Sequence, residues 1–271
     1  MIDIHSHILP GIDDGPGAID ESVDMCRMAA ADGISTIVAT PHFKPGVYEP
    51  SSIEVDELIN TIAAKTKEKG INIQILSGGE VFVTPELLIY LKKVRHLTIN
   101  KTNRYFLAEF PPVSVPPNWE AFLLFVLKSG FFPIITHPER NAWFMNHPNA
   151  LYSIVSKGVL VQITAMSLTG ELGDDIQEFS VFLLKHNLVH IIATDAHSAV
   201  YRKPELKIAV EIARDIIGKE KAEALVTSIP DAIIHGKPCP MSEPVSHIKQ
   251  EGTWLKKFFF CMARLGSGRM A

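Results

Sequence analysis

The sequence predicts an α/β fold in which seven parallel strands and their helices close into a barrel. Short apolar, strand-like runs alternate with amphipathic stretches along the 271 residues, as expected of parallel βαβ units. Six of the seven runs end in His, Asp or Glu or are followed by one within three residues. In a barrel of parallel strands the carboxyl ends of all strands meet on one face, so these side chains are expected to converge there.

The strand candidates lie near residues 1–4, 35–40, 72–77, 104–109, 132–136, 159–164 and 189–194. Glycine past a helix end accepts the left-handed conformation that ends the helix. The residues expected in this role are Gly33, Gly70, Gly130 and Gly158, with Asn187 as a substitute. Helices are expected to begin near Asp20, Ser51 and Thr84-Pro85, where capping residues or a first-turn proline occur.

An open, doubly wound sheet is the alternative architecture. Such a sheet concentrates its site at one switch point and usually carries a glycine-rich loop after its first strand. This chain has no such loop, and its candidate ligands follow six different runs. The pattern therefore favours the barrel.

The amino-acid composition limits the classes of protein to which the chain can belong. With 46% apolar residues the chain can form a single sizeable core, and a net charge of −4 gives no argument for nucleic-acid binding. The three cysteines, Cys26, Cys239 and Cys261, are too widely spaced for a disulfide framework, which fits a reducing compartment. With neither a signal-like segment nor a long apolar span, we expect a soluble cytoplasmic protein.

Imidazole and carboxylate side chains form the candidate metal site. His5 and His7 are two residues apart, as are Asp195 and His197, so each pair can present two ligands to one side of an extended segment. Such donors without cysteine suit hard or borderline divalent metals. The candidate ligands are His5, His7, Asp14, His42, Glu80, Glu109, His137, Asp195 and His197. Nine ligands are too many for one ion and suit two or three.

Two positions stay open at this level. Asp13 competes with Asp14 as the loop ligand, and Asp3 either orients a ligand or is simply a buried, hydrogen-bonded carboxylate. The remaining histidines are assigned no chemistry.

Two arginines follow the candidate ligands. Arg140 and Arg202 are expected on loops at the metal-bearing face, where a guanidinium can bind two oxygens of a phosphate ester. The alternative is a surface ion pair, for instance with Glu139 or Glu205.

The chain resembles the PHP (polymerase and histidinol phosphatase) superfamily over roughly residues 1–236. Within it, the chain is most similar to the bacterial manganese-dependent tyrosine phosphatases encoded with capsule and exopolysaccharide machinery. The motifs that carry the resemblance are His5-Ser6-His7, Asp13-Asp14-Gly15-Pro16, Thr40-Pro41-His42, Gly79-Glu80, Leu107-Ala108-Glu109-Phe110, His137-Pro138-Glu139-Arg140 and Asp195-Ala196-His197.

The resemblance implies a distorted (β/α)7, TIM-like barrel of the PHP type with up to three divalent ions. Mn²⁺ is the expected metal, with Zn²⁺, Fe²⁺ or Co²⁺ as alternatives. The implied ligand sets are His5, His7, Glu80 and Asp195 for one ion, Glu80, Glu109 and His137 for a second, and Asp14, His42 and His197 for a third. The resemblance thus favours Asp14 over Asp13, and it implies that Arg140 and Arg202 bind the substrate phosphate.

The implied function is hydrolysis of phosphotyrosine on proteins through attack by a hydroxide that bridges two ions. The implied partner is a membrane-linked tyrosine kinase of polysaccharide export. Alternatives are a histidinol-phosphate phosphatase or other small-molecule phosphomonoesterase, and a non-catalytic, metal-stabilised binding module. A thiol phosphatase is excluded because the position six residues after each cysteine holds Asp32, Val245 or Ser267 instead of arginine.

We expect two segments, a catalytic barrel over residues 1–237 and a tail over 238–271. The tail contains prolines and then an aromatic, basic stretch at 254–260. It is expected either to pack on the barrel or to contact a membrane surface or partner protein.

Overall fold

The computed structural model describes residues 1–245, so the aromatic, basic stretch of the expected tail lies outside the described residues. The described strands are β1 (Ile2–Ser6), β2 (Thr36–Ala39), β3 (His42–Phe43), β4 (Gln74–Ser77), β5 (Glu80–Phe82), β6 (Tyr105–Glu109), β7 (Phe132–Thr136), β8 (Leu160–Thr164) and β9 (Ile191–Ala193). The described α-helices are α1 (Ile19–Asp32), α2 (Ser52–Glu68), α3 (Leu87–Lys93), α4 (Trp119–Lys128), α5 (Ala142–Asn146), α6 (Pro148–Val155), α7 (Ala165–Thr169), α8 (Asp174–Lys185), α9 (Lys207–Ile217), α10 (Lys219–Ala224) and α11 (Ser228–Ile234).

All seven expected strand runs are present, and every pairing between named strands is parallel. The strands form a three-stranded sheet, β1-β2-β4, and a six-stranded sheet, β3-β5-β6-β7-β8-β9. The strand number differs from seven because two runs are interrupted, one at Thr40-Pro41 between β2 and β3 and one at Gly78-Gly79 between β4 and β5. Pro41 has no N–H to donate to a ladder, although its carbonyl still accepts a hydrogen bond from Glu80 N at 3.0 Å. An α/β fold with parallel sheets is confirmed.

The first and last strands lie side by side at their carboxyl ends. Asp195 N donates to His5 O, and His7 N donates to Ala196 O, both at 2.8 Å. Ser6 and Ala196 form a parallel bridge. The two segments that carry paired candidate ligands are thereby hydrogen-bonded to each other.

The sequence signals at the helix ends correspond to observed caps. Ser51 forms a capping box with Glu54 at the start of α2. Gly33 ends α1 with a φ of 96°, and Asn187 has a φ of 53° after α8. These ends return the chain to the next strand.

The core lies between the sheets and the helices and contains fully buried side chains such as Ile4, Phe106 and Phe179. Among residues 1–245, no helix is both long enough and apolar enough to cross a lipid bilayer. The described part of the expected tail, 238–245, lies beside the end of α8, where Val245 N donates to His186 O at 3.0 Å.

Candidate metal centre

The nine candidate ligands lie in one place. His5 and His7 are fully buried. Above them is a cavity of about 210 Å³ lined by the other seven ligands, Asp14, His42, Glu80, Glu109, His137, Asp195 and His197. Arg140 and Arg202 line the same cavity, so the expected convergence of eleven residues is observed.

Strand geometry presents the ligands to this cavity. His5 and His7 point the same way from the end of β1, and their Nε2 atoms are 3.2 Å apart. His137 and Asp195, which follow β7 and β9, have left-handed φ values of 33° and 52°. Such values are uncommon for residues other than glycine and often mark functional sites. The chain turns sharply here, which keeps both side chains at the strand ends.

Glu80 lies at the centre of the cluster. Its Oε2 is 3.4 Å from His5 Nε2, 3.5 Å from His7 Nε2 and 3.0 Å from His42 Nδ1. Its Oε1 is 2.9 Å from His137 Nε2. One carboxylate therefore contacts four imidazoles, which is the position a bridging ligand requires.

The donor atoms fall into three overlapping groups, each with all its atoms within 4.8 Å of one another. The groups are His5, His7 and Glu80; His42, Glu80 and Glu109; and His7, Asp14, His42 and His197. They resemble the implied ligand sets with two differences: His42 takes the place of His137 beside Glu109, and His7 joins Asp14, His42 and His197. Asp195 adjoins the first group, with Oδ1 3.4 Å from His5 Nε2.

Hydrogen bonds on Nδ1 turn Nε2 of three histidines inward. His5 Nδ1 lies 2.9 Å from Gln162 Oε1, and His197 Nδ1 lies 2.9 Å from the carbonyl oxygen of Asp195. His7 Nδ1 lies 2.7 Å from Asp13 Oδ2. Such a partner fixes the ring orientation and leaves the other nitrogen free for a metal.

Asp13 and Asp14 have different surroundings. Asp13, besides holding His7, accepts hydrogen bonds from the backbone N–H groups of Gly15 and His42, both at 3.0 Å. Asp14 Oδ1 instead faces the cluster, 3.4 Å from His42 Nε2 and 3.3 Å from His197 Nε2. Asp13 is thus placed to orient the candidate ligand His7, whereas Asp14 is placed as a candidate ligand itself.

The cluster balances negative and positive charge. Burial alone would raise the pKa of Glu80 and Asp195, but nearby imidazoles, His5 foremost, hold both pKa values below their usual range, with Arg202 and Arg140 contributing for Asp195. Burial would lower the pKa of His7 and His42, but contacts with Asp13 and Glu80 raise the first to about 9, and contacts with Glu109 and Glu80 raise the second to about 11. A cation that binds His7 and His42 therefore replaces protons on these two rings.

Two buried atoms of the cluster lack a hydrogen-bond partner among the described residues, Oε2 of Glu80 and Nε2 of His197. Buried polar atoms are rarely left unsatisfied, because the loss of water costs roughly 1–3 kcal/mol. The donors are imidazole nitrogens and carboxylate oxygens with no sulfur among them. Both observations fit hard or borderline divalent ions.

The family model for capsular polysaccharide synthesis, CpsB/CapC, matches residues 1–235. The chain belongs to the CpsB/CapC family. It is 38% identical to the tyrosine-protein phosphatase YwqE of Bacillus subtilis over 220 residues, 81% of this chain and 86% of the relative. It is 31% identical to the tyrosine-protein phosphatase CpsB of Streptococcus agalactiae over 233 residues, 83% of this chain and 94% of the relative.

Solved structures agree with this membership. A chain from the crystal structures of YwqE from Bacillus subtilis and CpsB from Streptococcus pneumoniae, described as unique metal-dependent tyrosine phosphatases, superposes with a TM-score of 0.87 at 34% identity. The match covers 92% of this chain and all of the other. Dihydropyrimidinase from Brevibacillus agri, at 12% identity and a TM-score of 0.51, shares the fold alone.

In this CpsB/CapC chain both cavity arginines bind one oxygen of Asp195. Arg140 Nη1 lies 2.5 Å from Asp195 Oδ2, and Arg202 Nη2 donates to the same atom. The alternative of a surface ion pair between Arg140 and Glu139 is wrong. Glu139 is fully buried and accepts hydrogen bonds from Thr164 N at 2.9 Å and Ser167 Oγ at 2.7 Å.

Sequence reasoning missed Gln162, which holds His5 from β8. The signal was present, since Gln162 is a polar residue inside the apolar run 159–164, the one run with no ligand-type residue after it. It also missed Tyr48, whose ring stacks on His42 at a centroid distance of 5.8 Å. Asp3 is a buried carboxylate that binds Thr194 N at 3.0 Å and Thr194 Oγ1 at 2.5 Å.

Proposed function

We propose that this CpsB/CapC chain is a metal-dependent protein-tyrosine phosphatase. The observation that carries the proposal is that Arg140 and Arg202 open into the same cavity as a cluster of imidazoles and carboxylates centred on Glu80. Paired guanidinium groups recognise phosphoryl oxygens, and the cluster suits divalent ions. The relatives named above are tyrosine-protein phosphatases, which favours phosphotyrosine over histidinol phosphate as the substrate.

All nine candidate ligands would hold the ions, up to three in number. Mn²⁺ is the proposed metal, and Zn²⁺, Fe²⁺ and Co²⁺ are the alternatives. When bound, divalent ions supply Lewis acidity that activates water at neutral pH and offsets charge on phosphoryl oxygens.

The two arginines orient the substrate phosphate. Each guanidinium can donate two parallel hydrogen bonds to phosphoryl oxygens, and charge that develops there is stabilised most by donors already in place. Their shared contact with Asp195 Oδ2 keeps both at the cavity while leaving each about 30% exposed. Asp195 is therefore both a candidate ligand and a positioning residue.

The chain offers no thiol nucleophile among the described residues. Cys26 is buried, and burial raises its pKa to about 12. Neither Cys26 nor Cys239 lines the cavity. Because a phenolate leaves readily from phosphorus (reference pKa about 10), a dedicated general acid is unnecessary. Glu139 is turned away, towards Thr164 and Ser167.

We also infer that the strands close into a distorted seven-stranded barrel of the PHP type. The bridge between Ser6 and Ala196 and the hydrogen bonds beside it support closure between the first and last runs. Residues 1–237 would be the catalytic barrel and 238–271 a tail that either packs on the barrel or contacts a membrane surface or partner protein; the hydrogen bond from Val245 N to His186 O favours packing for its first residues. The proposed location is the cytoplasm.

The proposed substrate is a phosphotyrosine protein of capsule or exopolysaccharide production, with a membrane-linked tyrosine kinase as the proposed partner. The family's link to capsular polysaccharide synthesis supports this. No role with nucleic acid is proposed, since the net charge is −4.

Phosphate release from a phosphotyrosyl peptide and from histidinol phosphate, measured side by side with Mn²⁺, tests the proposal. Release mainly from the peptide, abolished by a chelator and restored by Mn²⁺, is expected. A preference for histidinol phosphate would contradict the substrate class. No release from either by metal-loaded protein would contradict phosphatase activity and support the binding module.

A further inference from the structure

We propose that Val47, Val113, Val200 and Tyr201 form an apolar rim around the cavity that binds apolar residues flanking the phosphotyrosine of a polypeptide substrate. The proposal deepens the proposed function and rests on it. It assigns substrate selection to residues outside the metal cluster, and it names the occupant as an extended polypeptide with apolar side chains next to the phosphotyrosine.

The rim residues are unusually exposed for their type. Val47 is 61% exposed, Val113 74%, Val200 62% and Tyr201 82%. Single exposed apolar residues are common, but a cluster of them around a cavity indicates an interaction site. These four lie on the three segments 44–51, 110–118 and 194–206. The first two follow strands that carry a candidate ligand, and the third itself contains Asp195 and His197.

In each of the three loops, a neighbour of a rim residue either lines the cavity or contacts a residue that lines it. Tyr48, next to Val47, stacks on His42. Pro112, next to Val113, and Arg202, next to Tyr201, line the cavity itself. Consecutive Cα atoms are 3.8 Å apart, so the rim begins one residue from the site.

Backbone contacts hold the rim loops in place. Lys44 and Tyr48 exchange two hydrogen bonds at 2.8 and 2.9 Å, which close the turn that presents Val47. Asn141, the neighbour of Arg140, donates from Nδ2 to the carbonyls of Pro111 at 2.7 Å and Ser114 at 3.2 Å.

The third loop is closed in a similar way. His197 N donates to Arg202 O at 2.9 Å, which closes the loop that carries Val200 and Tyr201. A rim ordered before binding loses little entropy when a peptide docks.

Charge on the loops favours apolar over charged flanking residues. Segment 110–118 contains no charged residue, and segment 44–51 carries one lysine and one glutamate. On segment 198–206, Lys203 is offset by Glu205, and Arg202 faces the cavity. The three loops therefore offer no consistent ion-pair partner to acidic or basic residues that flank the phosphotyrosine. An extended chain advances at most about 3.3–3.6 Å per residue, so positions one or two residues from the phosphotyrosine reach the rim.

The test compares two phosphotyrosyl peptides, one with Leu and Val on both sides and one with Ser and Gly, with p-nitrophenyl phosphate as a reference ester. For the Mn²⁺-loaded full chain we expect a higher kcat/KM for the apolar peptide. The triple variant Val47→Ser, Val113→Ser, Tyr201→Ser should reduce that preference about tenfold, the loss typical of truncated aromatic and aliphatic anchors. Matched controls are Phe125→Ser on α4 and Ile208→Ser on α9, which remove side chains 57% and 59% exposed outside these loops.

The outcomes separate this inference from the proposed function. The proposed rim would be refuted, while phosphatase activity stands, if the two peptides gave equal kcat/KM values or if the preference for the apolar peptide survived in the triple variant. Failure to release phosphate from any of the three substrates would overturn the proposed function itself. If the control variants lose the preference for the apolar peptide to the same extent, the effect comes from general surface changes and the proposed rim is refuted.

Discussion

Asp13 Oδ2 lies 2.7 Å from His7 Nδ1, and this contact turns His7 Nε2 towards Glu80 Oε2, 3.5 Å away. The same carboxylate accepts the backbone N–H of His42 at 3.0 Å. One side chain outside the ligand groups thus positions residues on two different strand ends.

Replacing Asp13 should weaken metal binding without removing a ligand. In Asp13→Asn the charged acceptor for His7 is lost while the side-chain shape is kept. Metal affinity is expected to fall by about 10- to 100-fold, as is typical when the partner of a metal-binding histidine is changed. Titration of the metal-free protein with Mn²⁺ measures this. Asp24→Asn, in an exposed ion pair with Arg27, is the control, and equal affinities in both variants would refute the role of Asp13.

Glu80→Gln should lower activity and bound metal more than His42→Gln does. Glu80 is fully buried and contacts His5, His7, His42 and His137, whereas His42 lies at the edge of the cavity. Loss of a bridging carboxylate disturbs two ions at once. Metal content per chain and phosphate release are the measurements. Equal residual values in the two variants would rule out the bridging assignment.

Gly15→Ala should displace the loop that carries Asp13 and Asp14. A Cβ at Gly15 would lie 2.3 Å from His7 O, closer than any real contact, so the backbone must shift. Gly17→Ala is the matched control because its Cβ meets nothing within 4 Å. We expect a loss of metal content in the first variant only, with the control neutral or more stable by about 0.4–1 kcal/mol. The same metal content in both variants would show that this close approach is unimportant.

Arg140→Lys and Arg202→Lys should each lower kcat/KM by roughly 10- to 1,000-fold, because a lysine cannot donate two parallel hydrogen bonds to a phosphate. Metal content should stay close to that of the parent chain, since neither side chain is a candidate ligand. The exposed Arg27→Lys serves as the control. Parent-like kinetics in both cavity variants would exclude the arginines from phosphate binding.

His190 should make unfolding sensitive to acid. It is buried, its Nδ1 accepts a hydrogen bond from Val161 N at 3.1 Å, and burial lowers its pKa to about 4. Between about pH 6.5 and 4 the unfolded chain binds this proton and the folded chain does not, so stability falls as the pH falls. The full loss is about 3 kcal/mol from the difference between the two pKa values.

The variant His190→Gln keeps an acceptor for Val161 N but removes this titration. Its free energy of unfolding, measured with urea and chelator, should fall less steeply than that of the parent below pH 6.5. His235→Gln removes an exposed histidine and is the matched control. Parallel pH profiles for parent and His190→Gln would contradict the prediction.

Local sequence patterns predicted much of the fold. The spacing of His5 and His7 sets both imidazoles on one side of β1, and the capping box at Ser51 sets the start of α2. The division of two runs into β2 and β3, and into β4 and β5, could not be predicted from apolar periodicity. Apolar periodicity does not show that Gly78 packs closely against Val38. A Cβ placed on Gly78 would lie only 2.7 Å from Val38 Cγ1.

The convergence of most candidate ligands could be predicted from residue order, because they lie in or beside successive apolar runs and parallel strands end on one face. Which atoms meet was decided only by tertiary structure. Gln162 reaches His5 across 157 positions, and Arg140 and Arg202 meet at Asp195 instead of at surface glutamates. Local patterns reflect neighbours two to four residues apart, whereas these contacts depend on how strands distant in sequence pack side by side.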